Sequence, residues 1–437
     1  MSSIRADRSP SPLLRGIGHW GLTAFSLNLT VGSGILGLPA RLQALAGNYS
    51  MVVMAACGLL IVLVALCFAE IASRFERTGG PQLYATVAFG PIVGFVVGWL
   101  LWISRLGTCA AVSNLLVDYG QVLAPALARP VGRVVAISSI VIAYAAINIR
   151  GIRQSNAVSS AFTLIKLTPL FAIAVAGVFF VRPRALHLGP PPSMNDLASA
   201  ILLATFAFFG FDSATILAGE VRNAQRSVPF AIFMSVTVVT TLYTLIQIVC
   251  VGTLPDLASS ERPIAEAAAT IAGSWAAMAI AVTAVIACFG QYGASITPAT
   301  RLLYSMADHG QLPGLLAQVN RRLRTPIPAI LVSSVAALAL ALSGTFIYLV
   351  KITLIARMAV YLISCLTLPA LRARDDVPAA AMRVPAGSLL AFGCAALCLL
   401  FLTRSSLREL LDVSAGALLG LAILAVTRHS ARPLLSR

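Results

Sequence analysis

At 437 residues, 59% of them hydrophobic and 11% charged, with a mean hydropathy of +0.91, the chain is excluded from the water-soluble globular class. Its formal net charge of +16, from 31 Lys and Arg against 15 Asp and Glu, lies mostly in short stretches between apolar runs. Without a basic soluble domain a nucleic-acid partner is excluded, and the charge fits the anionic face of a lipid bilayer.

About twelve apolar runs predict an all-α polytopic membrane protein with about twelve transmembrane helices. In chain order they cover residues 18–44, 50–73, 89–117, 132–149, 155–181, 197–219, 229–253, 273–300, 327–344, 346–370, 386–403 and 409–427. The first seventeen residues are polar and arginine-bearing, and the first run continues into glycine-rich sequence, so no cleavable signal peptide is expected. With the N-terminus inside, about nineteen arginines fall on the cytoplasmic side and about eight on the other, which predicts that both termini are cytoplasmic.

The first run carries Gly32-Ser33-Gly34-Ile35 near its middle. Gly32, Gly34 and Gly37 form a nominal GxGxxG, as do Gly16, Gly18 and Gly21, but neither follows a strand of a βαβ unit, which argues against dinucleotide binding. Glycine this dense predicts an unwound helix whose backbone N–H groups line a cavity and receive an anion, for which a carboxylate is the natural occupant. The sixth run holds a matching interruption in Phe206-Ala207-Phe208-Phe209-Gly210-Phe211-Asp212. Phe208, Phe209 and Phe211 either fill helix contacts or shutter a ligand from water, with Phe208 and Phe211 the candidates for the shutter. Paired interruptions in two halves point to inverted repeats. The expected units are a cytoplasmic segment 1–17, a first repeat 18–181, a second repeat 197–370, a peripheral pair of spans in 386–427 and a cytoplasmic tail 428–437.

Charges inside the apolar runs are the next signal. Lys166 sits near the middle of the fifth run; at about 1.5 Å per helical residue its amine falls near the bilayer midplane. An ammonium there costs about 2.5–3.5 kcal/mol even on the lenient insertion scale, so a functional role is expected. Arg105 in the third run, Asp212 in the sixth and Arg357 in the tenth form a second set. By the pseudo-two-fold, runs 3, 6 and 10 correspond to runs 8, 1 and 5, so Asp212 is expected to meet Arg357, Arg105 or both, as a structural latch or as part of the binding site. Arg105 beside the site would favour neutral or acidic substrates over cationic ones. Glu70 and Arg74, with Arg77, at the cytoplasmic end of the second run, and Glu220 and Arg222 after the sixth, read either as ion pairs of an intracellular gate or as solvated loop charges. All eight cysteines fall in apolar runs and are expected to act as small hydrophobes, without a disulfide framework. The four histidines lack mutual spacing, so no metal site and no cofactor are expected.

Gly32-Ser33-Gly34-Ile35 and Phe68-Ala69-Glu70, with the following Gly79-Gly80-Pro81-Gln82-Leu83-Tyr84, resemble the amino acid–polyamine–organocation permeases. So do Phe206 to Asp212 with the downstream Glu220-Val221-Arg222-Asn223, and Thr297-Pro298-Ala299-Thr300-Arg301 leading to Pro313 and Thr325-Pro326. The likeness covers about residues 15–370, with several motifs in order; it is specific for the superfamily and weak for substrate. It implies the LeuT-type fold, with a 5+5 inverted repeat plus two peripheral helices. It further implies that Val31, Gly32, Ser33, Gly34 and Ile35 hold a substrate carboxylate, and that carbonyls of Phe206, Ala207 and Phe209 at the Gly210 break receive its amino group. Lys166 looks like the lysine that some relatives place where sodium-coupled cousins hold a cation, bridging first-span carbonyls and hydroxyls of the eighth span, here Ser295 and Thr297.

The function expected is a permease of a bacterial cytoplasmic (inner) membrane that moves amino acids by alternating access. It is sodium-independent, with Lys166 either titrating in proton symport or staying charged in an exchanger. A polyamine or amine exchanger is the alternative, and it would need an acidic cavity. An enzyme would show paired carboxylates or a His/Cys or Ser/His set at mid-membrane, and a channel would show filter-like repeats or charge rings; neither is present in the sequence.

Overall fold

The computed structural model describes residues 17–76, 79–121, 124–150, 156–216, 218, 221–323, 325–344, 346–403 and 406–431. Among these residues the fold is all α, with short 3-10 turns and no strand. The first apolar run is three helices, α1 (His19–Thr30), α2 (Ser33–Gly37) and α3 (Pro39–Ala46), followed by α4 (Ser50–Ala72). A short α5 (Gly80–Phe89) precedes the long α6 (Pro91–Gly120), then α7 (Pro130–Arg150) and α8 (Asn156–Val178). The sixth run is again broken, into α9 (Met194–Ala207) and α10 (Ser213–Ile216). A long α11 (Ala224–Thr253), a short α12 (Pro263–Ala272) and the 35-residue α13 (Ser274–Asp308) follow. The chain continues through α14 (Ile327–Ser343), α15 (Phe346–Arg372), α16 (Gly387–Thr403) and α17 (Leu407–Ala431).

Seven helices among the described residues are long and apolar enough to cross a membrane on their own, fewer than the twelve expected. The difference has a local cause. Of the five runs not among them, the first and sixth are cut into pieces below spanning length, α14 and α16, at 17 residues each, sit at the lower limit, and the fifth is represented by Ile165–Val178 of α8. The short α5 and α12 were not expected. Each starts with Pro in its first turn and ends at a glycine corner, Gly90 or Gly273, leading directly into a long helix. Ten residues make a rod of about 15 Å, too short to span, so an apolar-run search passes over it.

α6 and α15 lie at the centre, mostly buried, packed against each other and, for α6, against α13. α1 is held between α8 and α11, and α4 runs beside α11. α7 and α17 lie outside, with only 22% and 17% of their apolar stretches buried. Their outward faces expose Val131, Ile142, Leu411, Leu418 and Val426, which water would penalise and acyl chains would not. The chain is a multi-pass membrane protein, and its two broken helices meet inside this frame.

Candidate functional site

The site begins with backbone that leaves the helix. α1 ends at Thr30, Val31 turns to extended geometry at φ −79°, ψ 110°, and α2 restarts at Ser33. α9 ends at Ala207, and the chain turns through Phe208 to Asp212 before α10. The two breaks touch through their main chains. A Cβ on Gly34 would stand 2.4 Å from Cα of Ala207, and one on Gly210 would stand 2.7 Å from the carbonyl carbon of Leu29. Gly210 also has φ +132°, which side-chain-bearing residues rarely adopt.

Breaking α1 deprives its last carbonyls of helical partners, and buried carbonyls require others. Lys166, 1% exposed on α8, supplies two: its ammonium donates to the carbonyl of Asn28 and, at 2.6 Å, to that of Val31. Tyr243 donates to Thr30 O at 3.1 Å, and Tyr119 to Leu36 O at 2.9 Å. On the donor side, Ser33 N–H gives its hydrogen to Oε1 of Gln291 at 2.7 Å. A buried carboxamide from α13 therefore sits on one of the amides that the glycine motif frees.

The expected hydroxyl partners of Lys166 need correction. Thr297 donates to Oδ1 of Asn148 at 2.9 Å, and Ser295 faces a chamber on the side of Arg105. Thr297 follows Ser295 by two positions, so the helical twist of α13 sets the two side chains about 160° apart.

That chamber lies between the breaks and α6, α13 and α15. Leu29, Arg105, Thr108, Phe206, Phe209, Gly210, Ser213, Gln291, Ser295 and Arg357 line it, and its volume is about 20 Å³. One water fills such a space, and a free amino acid does not fit until the helices part. Phe206 and Phe209 are the rings on its wall, 5.8 Å apart in a T-shaped pair. Phe208 and Phe211, the expected shutter residues, pack away from it. Phe208 lies against Tyr243, and Phe211 lies against Phe68 and Tyr361. The reversal at Gly210 sets which rings point inward, so helical spacing could not assign them.

Two of the lining residues, Arg105 and Arg357, belong to a buried charge cluster that also holds Asp212. Asp212, 0% exposed, accepts from Nη1 of Arg357 at 2.7 Å and, more weakly, from the hydroxyl of Tyr361 at 3.4 Å. Arg357 also donates from Nε to Ser104 Oγ at 3.0 Å and lies 5.1 Å from the centre of the Phe209 ring. Arg105 donates from Nη2 to Ser213 Oγ at 3.2 Å. Asp212 is thus bonded to Arg357, while Arg105 bonds the neighbouring serine.

At the end of α4, Glu70 has a partner outside the expected set, besides Arg74 within it. Arg372 grips it with two bonds of 2.7 and 2.6 Å, and Val384 N–H adds a third at 2.8 Å. Arg74 stands 3.9 Å away and donates to the carbonyl of Pro378. Backbone N–H of Arg222 donates to Ile17 O, while Glu220 and Arg77 lie outside the described residues. Glu70 therefore ties α4 to the end of α15 and the loop before α16. Sequence reasoning missed Gln291, Tyr243, Tyr361 and Arg372; of these, Gln291 carried a signal, being a polar side chain inside an apolar run.

Two facing helix breaks, a lysine capping one of them and a small polar chamber between them define a membrane carrier by architecture. The family model for "Amino acid permease" matches residues 17–414, and the chain belongs to that family, within the amino acid–polyamine–organocation superfamily. It is 24% identical over 421 residues to the "Methylthioribose transporter" of Bacillus subtilis, covering 92% of this chain and 91% of the relative. It is 27% identical over 345 residues to "Branched-chain amino acid permease BcaP" of the same organism, covering 75% and 74%. It is also 28% identical over 348 residues to "Cationic amino acid transporter 2, vacuolar" of Arabidopsis thaliana, covering 73% and 54%.

Proposed function

We propose that the protein is a secondary active transporter of amino acids that works by alternating access in a bacterial cytoplasmic membrane, independent of sodium, by proton symport or exchange. The observation that carries this reading is the contact of the two breaks, Gly34 on Ala207 and Gly210 on Leu29, beside the ammonium of Lys166. In this reading the substrate carboxylate takes the Ser33 amide now held by Gln291, with Val31, Gly32, Gly34 and Ile35 around it. Its amino group meets the carbonyls of Phe206, Ala207 and Phe209. Lys166 fills with its own ammonium the place where a coupling cation would bind first-span carbonyls, and so removes the need for sodium.

The order of elements supports a 5+5 inverted repeat within twelve spans. A broken run, a long helix, a short helix with a glycine corner, a very long helix and two more helices occur twice, in α1–α8 and in α9–α15. α16 and α17 would then be peripheral spans 11 and 12, with both termini cytoplasmic. The polyamine alternative is disfavoured because, among the described residues, no carboxylate lines the chamber: Asp212 is paired with Arg357 beside it, and Arg105 adds a second guanidinium to the wall. A thermal-shift screen of the twenty amino acids and common polyamines, with and without Na⁺ and across pH, tests the reading, followed by proteoliposome counterflow. Stabilisation and trans-stimulated exchange by amino acids without Na⁺ are expected. A response that requires Na⁺, or one confined to polyamines, would refute it.

A further inference from the structure

We infer that the transported amino acid carries a second carboxylate, as aspartate and glutamate do, and that the guanidinium of Arg105 receives it; this rests on the amino acid reading above. Arg105 is 3% exposed and lines the chamber. Its Nη2 reaches Ser213, and its buried Nε has no hydrogen-bond partner among the described residues. The charged groups around it are Arg357 and Asp212. Asp212 is already engaged by Arg357 at 2.7 Å, so of the two guanidiniums on the wall Arg105 has no carboxylate bonded to it and the chamber holds one cation in excess.

An uncompensated buried charge is strongly unfavourable, and a hydrogen-bonded counter-charge relieves it. The other polar side chains on the wall, Thr108, Ser213, Gln291 and Ser295, are neutral and cannot provide one. A zwitterionic amino acid brings equal and opposite charges and leaves the excess in place. A cationic amino acid or a polyamine adds to it. A dicarboxylic amino acid cancels it, and its distal carboxylate matches the planar N–H fork of arginine.

The test compares shape-matched pairs. Purified wild-type protein in liposomes is assayed for counterflow of aspartate against asparagine and of glutamate against glutamine, so that each ratio reads charge alone. The acids are expected to exchange at least about tenfold faster than their amides at limiting concentration, the effect of one charge-assisted hydrogen bond. Arg105→Gln, checked for folding by its thermal transition, is expected to bring each ratio to about one or below. Amides that match or outrun the acids in the wild type, or ratios unchanged in folded Arg105→Gln, would overturn the inference. If only neutral amino acids exchange, this inference fails and amino acid transport stands. If none of the twenty exchanges, the transport reading fails with it. The wild-type ratios decide the matter even if the variant does not fold.

Discussion

Replacing Lys166 by Met keeps most of the side-chain length and removes the N–H donors that hold the end of α1. In the native chain the ammonium serves two buried carbonyls, Asn28 O and Val31 O, that the break has separated from helical partners. Leaving a buried acceptor unsatisfied costs about 1–3 kcal/mol, so the pair loses about 2–6 kcal/mol. At 1.4 kcal/mol per decade that lowers the population of the assembled site by a factor of about 30 to 10⁴. Removing the ammonium's own desolvation offsets part of this for global stability, so the melting temperature moves less than transport does. The assay is the initial rate of amino acid counterflow per folded protein, with thermal unfolding in detergent as the control. A loss of at least about thirtyfold is expected, at the low end of that range. Exchange by Lys166→Met within about threefold of wild type, with the same pH profile, would refute the reasoning, because the carbonyls would then not need the amine.

Asp212→Asn leaves Arg357 and Arg105 without a carboxylate, and breaking a buried pair in this way destabilises by about 3–5 kcal/mol. The double variant Asp212→Asn/Arg357→Gln should recover part of that loss in thermal unfolding, whereas additive effects would show that the two side chains are not coupled. Gly210→Ala places a Cβ 2.7 Å from the Leu29 carbonyl carbon at φ +132°, with about 1–3 kcal/mol of backbone strain and a similar overpacking penalty. Transport should fall at least about tenfold, and a wild-type rate would mean that the two breaks need not touch. Glu70→Gln weakens the three bonds to Arg372 and Val384 and should expose the stretch 373–386 to limited proteolysis; an unchanged digestion pattern would argue against that tie.

Much of this protein was legible along the chain because the relevant physics is local. Apolar runs of spanning length dictate membrane helices, and Gly32-Ser33-Gly34 and Gly210 mark where those helices cannot stay wound. An amine placed in hydrocarbon had to find oxygen, so Lys166 announced itself without any partner in view. The Pro and Gly that bound α5 and α12 were also readable, but a search for spanning length does not look for ten-residue helices.

Partner choice was a matter for the folded chain. Lys166 meets carbonyls 135 and 138 positions away and not the hydroxyl of Thr297, which donates to Asn148 instead. Phe206 and Phe209 face the chamber while Phe208 and Phe211 do not, since the reversal at Gly210 breaks the periodicity that would have ranked them. Glu70 pairs with Arg372 across 302 positions, and Gln291 reaches Ser33 across 258. Composition and spacing determine which groups cannot remain alone in a membrane. The crossing of helices in three dimensions determines which group satisfies each of them, because side-chain reach is only a few ångströms and the chain must first bring distant residues within it.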